Sequence, residues 1–122
     1  IAREIDCDWK HFENYQVIHY NPGEEYKYHY DAYDKKDLEK YNEFCGEKGN
    51  RLKTVLVYLN DVEEGGGTGF QTINKMVDAK KGRMVVFENV NKDNIRYKRS
   101  LHAGLPVIKG EKWAFNLWLR EK

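Results

Sequence analysis

Two histidines and an aspartate carry the donor atoms from which a metal site could be built. His29 and Asp31 stand two residues apart in "YKYHYDAY" (26–33), and His102 follows much later, in "SLHAGLPV". If residues 26–33 form a strand, side chains two apart share one face, and His29 and Asp31 point at the same object. Two imidazoles and one carboxylate leave three positions open on an octahedral Fe(II), as an oxygen-activating site requires.

Each part of this pattern also occurs without a metal. H-x-D is compatible with a solvated edge strand, and His102 with a hydrogen-bonded core histidine. A catalytic zinc site would also use three protein ligands and a water, but the chain has no H-E-x-x-H. His11 and His19 lack a carboxylate at similar spacing, and we interpret them as structural.

Lys112 adds an anion-binding group to the candidate set. It stands ten residues after His102 and begins the last predicted strand, "KWAFNLWLR" (112–120). Both faces of that strand are largely apolar, which predicts a buried strand, and a buried ammonium is costly without an anion. A surface lysine at a strand end is the alternative. The pattern therefore favours an anionic partner inside the fold, on the face that Lys112 shares with Ala114, Asn116 and Trp118.

The segments that would position these side chains are mainly β. Alternating or β-branched runs predict strands over 15–20, 26–33, 52–60, 84–89, 100–108 and 112–120. The glycines at 65–69 lack the Lys-Ser/Thr of a phosphate loop and predict a turn into a strand. The charged stretch 34–50 predicts a long loop with one helical turn, and such loops often act as lids. "IAREIDCDW" (1–9) is compatible with a helix fragment.

Length, charge and cysteine content limit the domain count, the classes of binding partner and the cellular compartment that can be expected. A chain of 122 residues predicts a single domain over 1–122, and its opening on Ile1 suggests the core of a longer protein. The net charge of +1 and the lack of a long apolar run predict no nucleic-acid and no membrane partner. Cys7 and Cys45 match no metal spacing and predict thiols in a reducing compartment such as the cytoplasm, with a disulfide as the alternative.

Taken together, these motifs resemble the 2-oxoglutarate- and Fe(II)-dependent dioxygenases, and within them the prolyl 4-hydroxylase group. The resemblance spans about Gln16 to Leu119 and rests on "QVIHYNPGEEYKYHYD", "TVLVYLNDVEEGGGTGF", "KGRMVVFEN" and "SLHAGLPVIKGEKWAFNLW". It implies a mainly β double-stranded β-helix, or jelly roll. Because only about fifteen residues precede the first match, we expect few or truncated supporting helices.

The resemblance also implies a role for each site residue. The catalytic iron ligands would be His29, Asp31 and His102. Lys112 would pair with the distal carboxylate of 2-oxoglutarate, and Tyr58 would donate a hydrogen bond to the same carboxylate. The cosubstrate pocket would also be lined by Tyr20 and Thr54. The substrate mouth would be formed by Arg51, Trp118 and Tyr26.

The activity that the resemblance implies is hydroxylation of a prolyl residue in a peptide or protein, dependent on 2-oxoglutarate and O2. Succinate and CO2 would be the co-products, Fe(II) the metal, and ascorbate the reductant. One alternative is a 2-oxoglutarate oxygenase that acts on a lysyl residue or a small molecule. Another is a non-catalytic, cupin-like binding module of the same shape, which would have no need of the iron ligands or of Lys112.

Overall fold

The computed structural model describes residues 1, 3–4 and 7–122, which form ten strands, one α-helix and two 3-10 turns. The strands are β1 Gln16–Tyr20, β2 Tyr26–His29, β3 Arg51–Tyr58, β4 Glu64–Gly65, β5 Thr68–Phe70, β6 Lys75–Val77, β7 Met84–Glu88, β8 His102–Gly104, β9 Val107–Lys109 and β10 Lys112–Arg120. The helix is α1 Leu38–Cys45, and the 3-10 turns are Trp9–His11 and Lys98–Ser100.

Two antiparallel four-stranded sheets form the body of the fold. One has the strand order β1-β10-β3-β7, the other β2-β8-β5-β6, and a small β4–β9 pair completes it. Neighbouring strands are mostly distant in sequence, as in a jelly roll. The prediction of a mainly β double-stranded β-helix with few helices is therefore confirmed.

The long strands β3 and β10 lie at the centre of the larger sheet and build both the core and the site. Their register places Trp118 opposite Thr54 and Ala114 opposite Tyr58. Towards one end of the sandwich, the inward-facing side chains form an apolar cluster with Leu56 and Val107. Burying each large apolar side chain contributes about 1.5–3 kcal/mol. Towards the other end, the same inward faces carry polar groups.

Several predicted elements have different bounds in the structure. β2 ends at His29, so Asp31 lies in the bend after the strand and not on its face. The predicted strand 100–108 is two strands, β8 and β9, separated around Pro106, which has no N–H to donate to a sheet. β6 has no counterpart among the predicted strands.

The charged segment 34–50 holds more helix than the sequence predicts. It contains α1, eight residues long, whose N-terminus is capped by the Asp37 side chain accepting from the Lys40 N–H. In the segment 1–9 the expected helix fragment lies partly outside the described residues. The described part contains only the start of the 3-10 turn Trp9–His11.

The glycine cluster forms the predicted turn into a strand. Gly65 and Gly66 have positive φ values of 77° and 73°, which disfavour other residues. A Cβ at Gly65 would also collide with the Pro106 carbonyl oxygen, so the chain can pass β9 closely only at glycine.

Of the helices in the described part of the chain, none has the length and apolar character needed to cross a membrane.

Candidate functional site

The predicted metal ligands come together between the two sheets. β2 pairs with β8 so that His29 lies opposite His102, and the bend after β2 brings Asp31 between them. The Asp31 Oδ1 atom lies 3.3 Å from His29 Nε2 and 3.4 Å from His102 Nε2. One ligand atom from each residue lies within 4.8 Å of the others, and within the described residues no other group of this kind occurs.

Backbone carbonyls orient both imidazoles. His29 Nδ1 lies 2.7 Å from the Lys27 oxygen, and His102 Nδ1 lies 2.7 Å from the Ser100 oxygen. A carbonyl accepts only, so each Nδ1 carries the hydrogen and donates it. Each Nε2 is then the atom that faces Asp31 and can bind a cation, which is the usual orientation of metal-binding histidines.

Two donors hold the far oxygen of the carboxylate. Asp31 Oδ2 accepts from Thr54 Oγ1 at 2.6 Å and from Trp118 Nε1 at 3.0 Å. Burial alone would raise the pKa of Asp31, but the neighbouring His102 and His29 rings, when protonated, and the Thr54 hydroxyl hold that pKa well below its usual value. The ionised carboxylate and two imidazoles form a donor set that fits Fe(II), with three positions left for other ligands.

The site opens into a cavity of about 610 Å³. Its walls include the three candidate ligands and the following predicted site residues: Tyr20, Tyr26, Arg51, Thr54, Lys112 and Trp118. Of the predicted site residues, Tyr58 alone lies outside the lining, within the described part of the chain. The volume suits a small cosubstrate and part of a larger substrate.

Lys112 is a buried cation that faces this cavity. Its side chain is 1% exposed, and its Nζ lies 5.4 Å from the Tyr20 ring centroid and 5.7 Å from the Tyr58 ring centroid. Among the residues that the structure describes, no carboxylate lies within ion-pair distance of this ammonium. Burial lowers the pKa of Lys112 to about 8. The cavity therefore has a built-in position for an anion.

This pKa predicts how anion binding depends on pH. Below about pH 8, Lys112 is already protonated before a carboxylate binds. Above about pH 8, Lys112 is mostly neutral and must take up a proton when the carboxylate binds. We expect the affinity for 2-oxoglutarate to be constant up to about pH 8 and then to fall about tenfold per pH unit. Calorimetric titration of the Mn(II)-loaded protein without O2, between pH 7 and 9.5, measures this. A Lys112→Arg variant keeps its charge and should lack this fall, and a wild-type affinity that is flat across the range would contradict the prediction.

The structure places the Tyr58 hydroxyl against a neighbouring strand. It is hydrogen-bonded to Thr68 Oγ1 and lies 3.5 Å from the Val77 oxygen. Thr68 is buried and lines the cavity, which makes it a polar wall group that the sequence analysis missed. A hydrogen bond from Tyr58 to a bound carboxylate requires the hydroxyl to change partner, and that role stays a prediction.

The predicted substrate residues line the cavity in two places. The Arg51 guanidinium lies 3.9 Å from the Trp118 ring centroid, and its Nε donates to Glu13 Oε2 at 2.8 Å. Glu13 also accepts from Arg120 Nη1 at 3.2 Å. Tyr26 packs on His29 with ring centroids 4.0 Å apart. Glu13 was missed because it is 38 residues from Arg51, and no local pattern links them.

A second arginine lines the same cavity. The Arg96 guanidinium lies 4.0 Å from the Tyr30 ring centroid and 3.5 Å from an Asp34 oxygen. Sequence reasoning missed this group because Arg96 belongs to an irregular stretch between β7 and β8. The cavity wall thus includes two arginines, each packed against an aromatic ring.

The two ends of the segment between β2 and β3 are joined to each other and to the body of the fold through Asn50. Asn50 is fully buried, accepts from the Tyr33 N–H and donates to the Tyr33 oxygen and to Asn94 Oδ1. Its own N–H donates to Glu121 Oε1. These contacts fix both ends of the segment 33–50, whose first residues line the cavity.

The other two histidines lie away from the ligand group. His19 Nε2 is 2.9 Å from Glu111 Oε2, and its ring stacks on Trp113. His11 belongs to the 3-10 turn before β1. Neither lines the cavity.

Comparison with known proteins agrees with this geometry. The family described as the 2OG-Fe(II) oxygenase superfamily matches residues 15–120, which is most of the chain. All three candidate ligands and Lys112 lie inside the matched range.

Individual relatives are prolyl hydroxylases by name. The chain is 37% identical over 123 residues to a putative prolyl 4-hydroxylase of Acanthamoeba polyphaga mimivirus, covering 100% of this chain and 50% of that protein. It is 36% identical over 110 residues to the human prolyl 4-hydroxylase subunit alpha-1, covering 90% of this chain and 20% of that subunit. The chain spans half or less of the length of these curated relatives.

A solved structure shows the same fold. The 2OG complex of the viral collagen prolyl hydroxylase vCPH from Paramecium Bursaria Chlorella virus-1 aligns with a TM-score of 0.75 and 40% identity. The alignment covers 89% of this chain and 59% of the viral enzyme.

Proposed function

The chain belongs to the 2OG-Fe(II) oxygenase superfamily, and from that membership we propose that it hydroxylates a prolyl residue in a peptide or protein. The reaction would consume 2-oxoglutarate and O2 and yield succinate and CO2. One observation carries the proposal: a two-histidine, one-carboxylate group and a buried ammonium with no described anionic partner face a single cavity. Together these two features match what a metal and a dicarboxylate cosubstrate require, which neither feature does alone.

His29, Asp31 and His102 would hold Fe(II) through Nε2, Oδ1 and Nε2. Bound there, Fe(II) would supply the activation of O2 that couples decarboxylation of 2-oxoglutarate to hydroxylation of a C–H bond. The protein contributes geometry. Backbone carbonyls fix the two imidazoles, and Thr54 and Trp118 fix the carboxylate. Ascorbate would serve as the reductant that keeps the metal in its ferrous state.

Lys112 would orient 2-oxoglutarate by pairing with the carboxylate that does not reach the metal. The ammonium lies among the Tyr20 and Tyr58 rings and away from water, where a charge-assisted hydrogen bond is strong. Thr68 and Tyr20 supply the nearby hydroxyls on the cavity wall.

A prolyl peptide suits the mouth of the cavity. Trp118 and Tyr26 offer aromatic surface for a pyrrolidine ring, and Arg51 can donate to a peptide carbonyl while Glu13 holds its guanidinium in place. Proline-rich peptides are already extended, so their binding costs less conformational entropy. The names of the relatives, including a collagen prolyl hydroxylase, support the same substrate class.

Peptide assays test the substrate class. We expect a +16 Da product, seen by mass spectrometry, when the protein is incubated with Fe(II), 2-oxoglutarate, ascorbate and proline-containing peptides. Matched peptides with lysine or asparagine in place of proline, and free proline, should remain unmodified. Modification of a lysyl peptide or a free amino acid, with every prolyl peptide unchanged, would overturn the substrate while leaving the oxygenase activity in place. Absence of any iron-dependent succinate would favour the cupin-like binding module.

A further inference from the structure

We infer that Asn89, acting through Thr54, is a positioning residue that keeps Asp31 bound to the metal through a single oxygen. The inference rests on the proposed function, because it concerns how that metal site is held. Asn89 follows β7, forms no described hydrogen bond with His29, Asp31 or His102, and has no role in the reaction described above. It is fully buried, and its Nδ2 donates to Thr54 Oγ1 at 2.8 Å.

The chemistry of the groups fixes the direction of this chain of hydrogen bonds. The ionised Asp31 carboxylate can only accept, and the Thr54 hydroxyl has one hydrogen, so that hydrogen goes to Asp31 Oδ2. The Thr54 oxygen is then an acceptor, and only the amide nitrogen of Asn89 can face it. A reversed Asn89 amide would place two acceptors against each other. The order Asn89 to Thr54 to Asp31 is therefore determined.

This orientation leaves a buried acceptor without a partner. Within the described part of the chain, Asn89 Oδ1 is a buried side-chain oxygen that accepts no hydrogen bond. Such atoms are rare in native proteins, and each is unfavourable for folding. Stability therefore does not explain an asparagine at this position, whereas the donation to Thr54 does.

These hydrogen bonds control which carboxylate oxygen meets the metal. Thr54 and Trp118 both donate to Asp31 Oδ2, and both histidines face Oδ1. With Oδ2 occupied, Asp31 fills one coordination position. If the carboxylate bound through both oxygens, the three protein residues would take four coordination positions and not three.

Asn89 and Thr54 supply this control from β3 and the end of β7. Thr54 lies in the middle of β3, opposite Phe87 of β7, and the Asn89 N–H donates to the Leu52 oxygen of the same strand. Trp118, the other donor, also stacks on Arg51 at the mouth, where substrate would bind. The Asn89–Thr54 pair thus holds the carboxylate from the β3–β7 side, and Trp118 holds it from β10.

A double-mutant cycle tests the inference through metal binding. Co(II) is titrated without O2 into the wild type, Thr54→Val, Asn89→Leu and the double variant, and visible absorption reports both affinity and coordination. We expect T54V to weaken Co(II) binding about 10- to 100-fold. N89L should weaken it about 2- to 10-fold, with the absorption band changed in the same direction. In the T54V background N89L should have no further effect, because Asn89 acts through the threonine hydroxyl.

Controls separate positioning from folding. Thr72→Val removes a hydroxyl that donates to the Lys98 oxygen outside the cavity and should leave Co(II) affinity unchanged. Thr54→Ser should restore most of the affinity that T54V loses. Urea unfolding of the metal-free N89L protein should show only a small change in stability, because the variant removes an unpartnered carbonyl together with the donor to Thr54. Asn89→Ala is a second variant that adds no bulk.

The outcomes distinguish this inference from the proposed function. The positioning role would be overturned if N89L weakened Co(II) binding equally in the wild-type and T54V backgrounds. It would also be overturned if both N89L and N89A kept the wild-type Co(II) affinity. In either case the metal site itself would stand. A wild-type protein that binds no divalent metal would overturn the proposed function, and this inference with it.

Discussion

Replacing Asp31 with alanine is expected to abolish metal binding and iron-dependent succinate formation together. The carboxylate provides one of three protein ligands and the negative charge that offsets part of the cation's charge. Because loss of outer-shell partners alone lowers metal affinity 10- to 100-fold, loss of a ligand should lower it by more than about 100-fold. Co(II) titration without O2 and a succinate assay at fixed Fe(II) measure the two effects separately.

His29→Ala and His102→Ala should behave in the same way, and His19→Ala is the matched control. His19 pairs with Glu111 outside the cavity, so its loss should leave both metal affinity and succinate formation near those of the wild type. Succinate formation by the Asp31→Ala variant at close to the wild-type rate would refute the assignment of these three residues as the metal site.

The central part of the fold could be predicted from the sequence because its strands are long. β10 has the predicted bounds, 112–120, and β3 begins one residue before the predicted segment 52–60 and ends two residues earlier. Eight or nine residues give the continuous apolar run of β3 and the apolar faces of β10 enough length to exceed chance. β4 and β6, of two and three residues, are too short to show a period, and they form because β9 and β5 offer them partners.

In the site, too, the residue types could be predicted from local sequence motifs, whereas contacts between distant segments could not. The ligand types and Lys112 could be recognised in the sequence, but the expectation that Asp31 shares a strand face with His29 is wrong. The strand ends at His29, and hydrogen bonds from Thr54 and Trp118 aim the carboxylate instead. The partners that complete the site are remote in sequence: Asn89 lies 35 residues from Thr54. Such pairs arise from strand register, which a single sequence does not display.

The buried charge of Lys112 lowers the free energy of unfolding of the protein. A drop in its pKa from 10.5 to about 8 means that the unfolded chain holds the proton more tightly than the folded protein does. The folded state is therefore destabilised by up to about 3 kcal/mol at pH values below about 8. Between about pH 8 and 10.5 the unfolded state binds more protons, so this contribution makes stability rise with pH. Above 10.5 the cost is gone.

A Lys112→Met variant should accordingly gain stability and lose cosubstrate affinity. Methionine fills similar space without a charge, so we expect the free energy of unfolding of the metal-free protein to rise by about 1–3 kcal/mol at pH 7. The loss of a buried charge-assisted pair, worth about 1.5–3 kcal/mol, should weaken 2-oxoglutarate binding more than tenfold. Lys112→Arg should restore binding only in part, because a planar guanidinium needs more width than an ammonium.

The two effects of Lys112→Met have opposite signs, which distinguishes a binding lysine from a structural one. Urea unfolding at pH 7 and pH 10.5 should show a stability difference from the wild type that is large at the lower pH and nearly absent at the higher. Lys53→Met is the matched control, since Lys53 lies on neighbouring β3 opposite Glu88 and Leu119 and does not line the cavity. It should change neither quantity appreciably. If Lys112→Met bound 2-oxoglutarate as the wild type does, the anion site would have to lie elsewhere in the cavity, and Lys112 would remain a buried charge without a function.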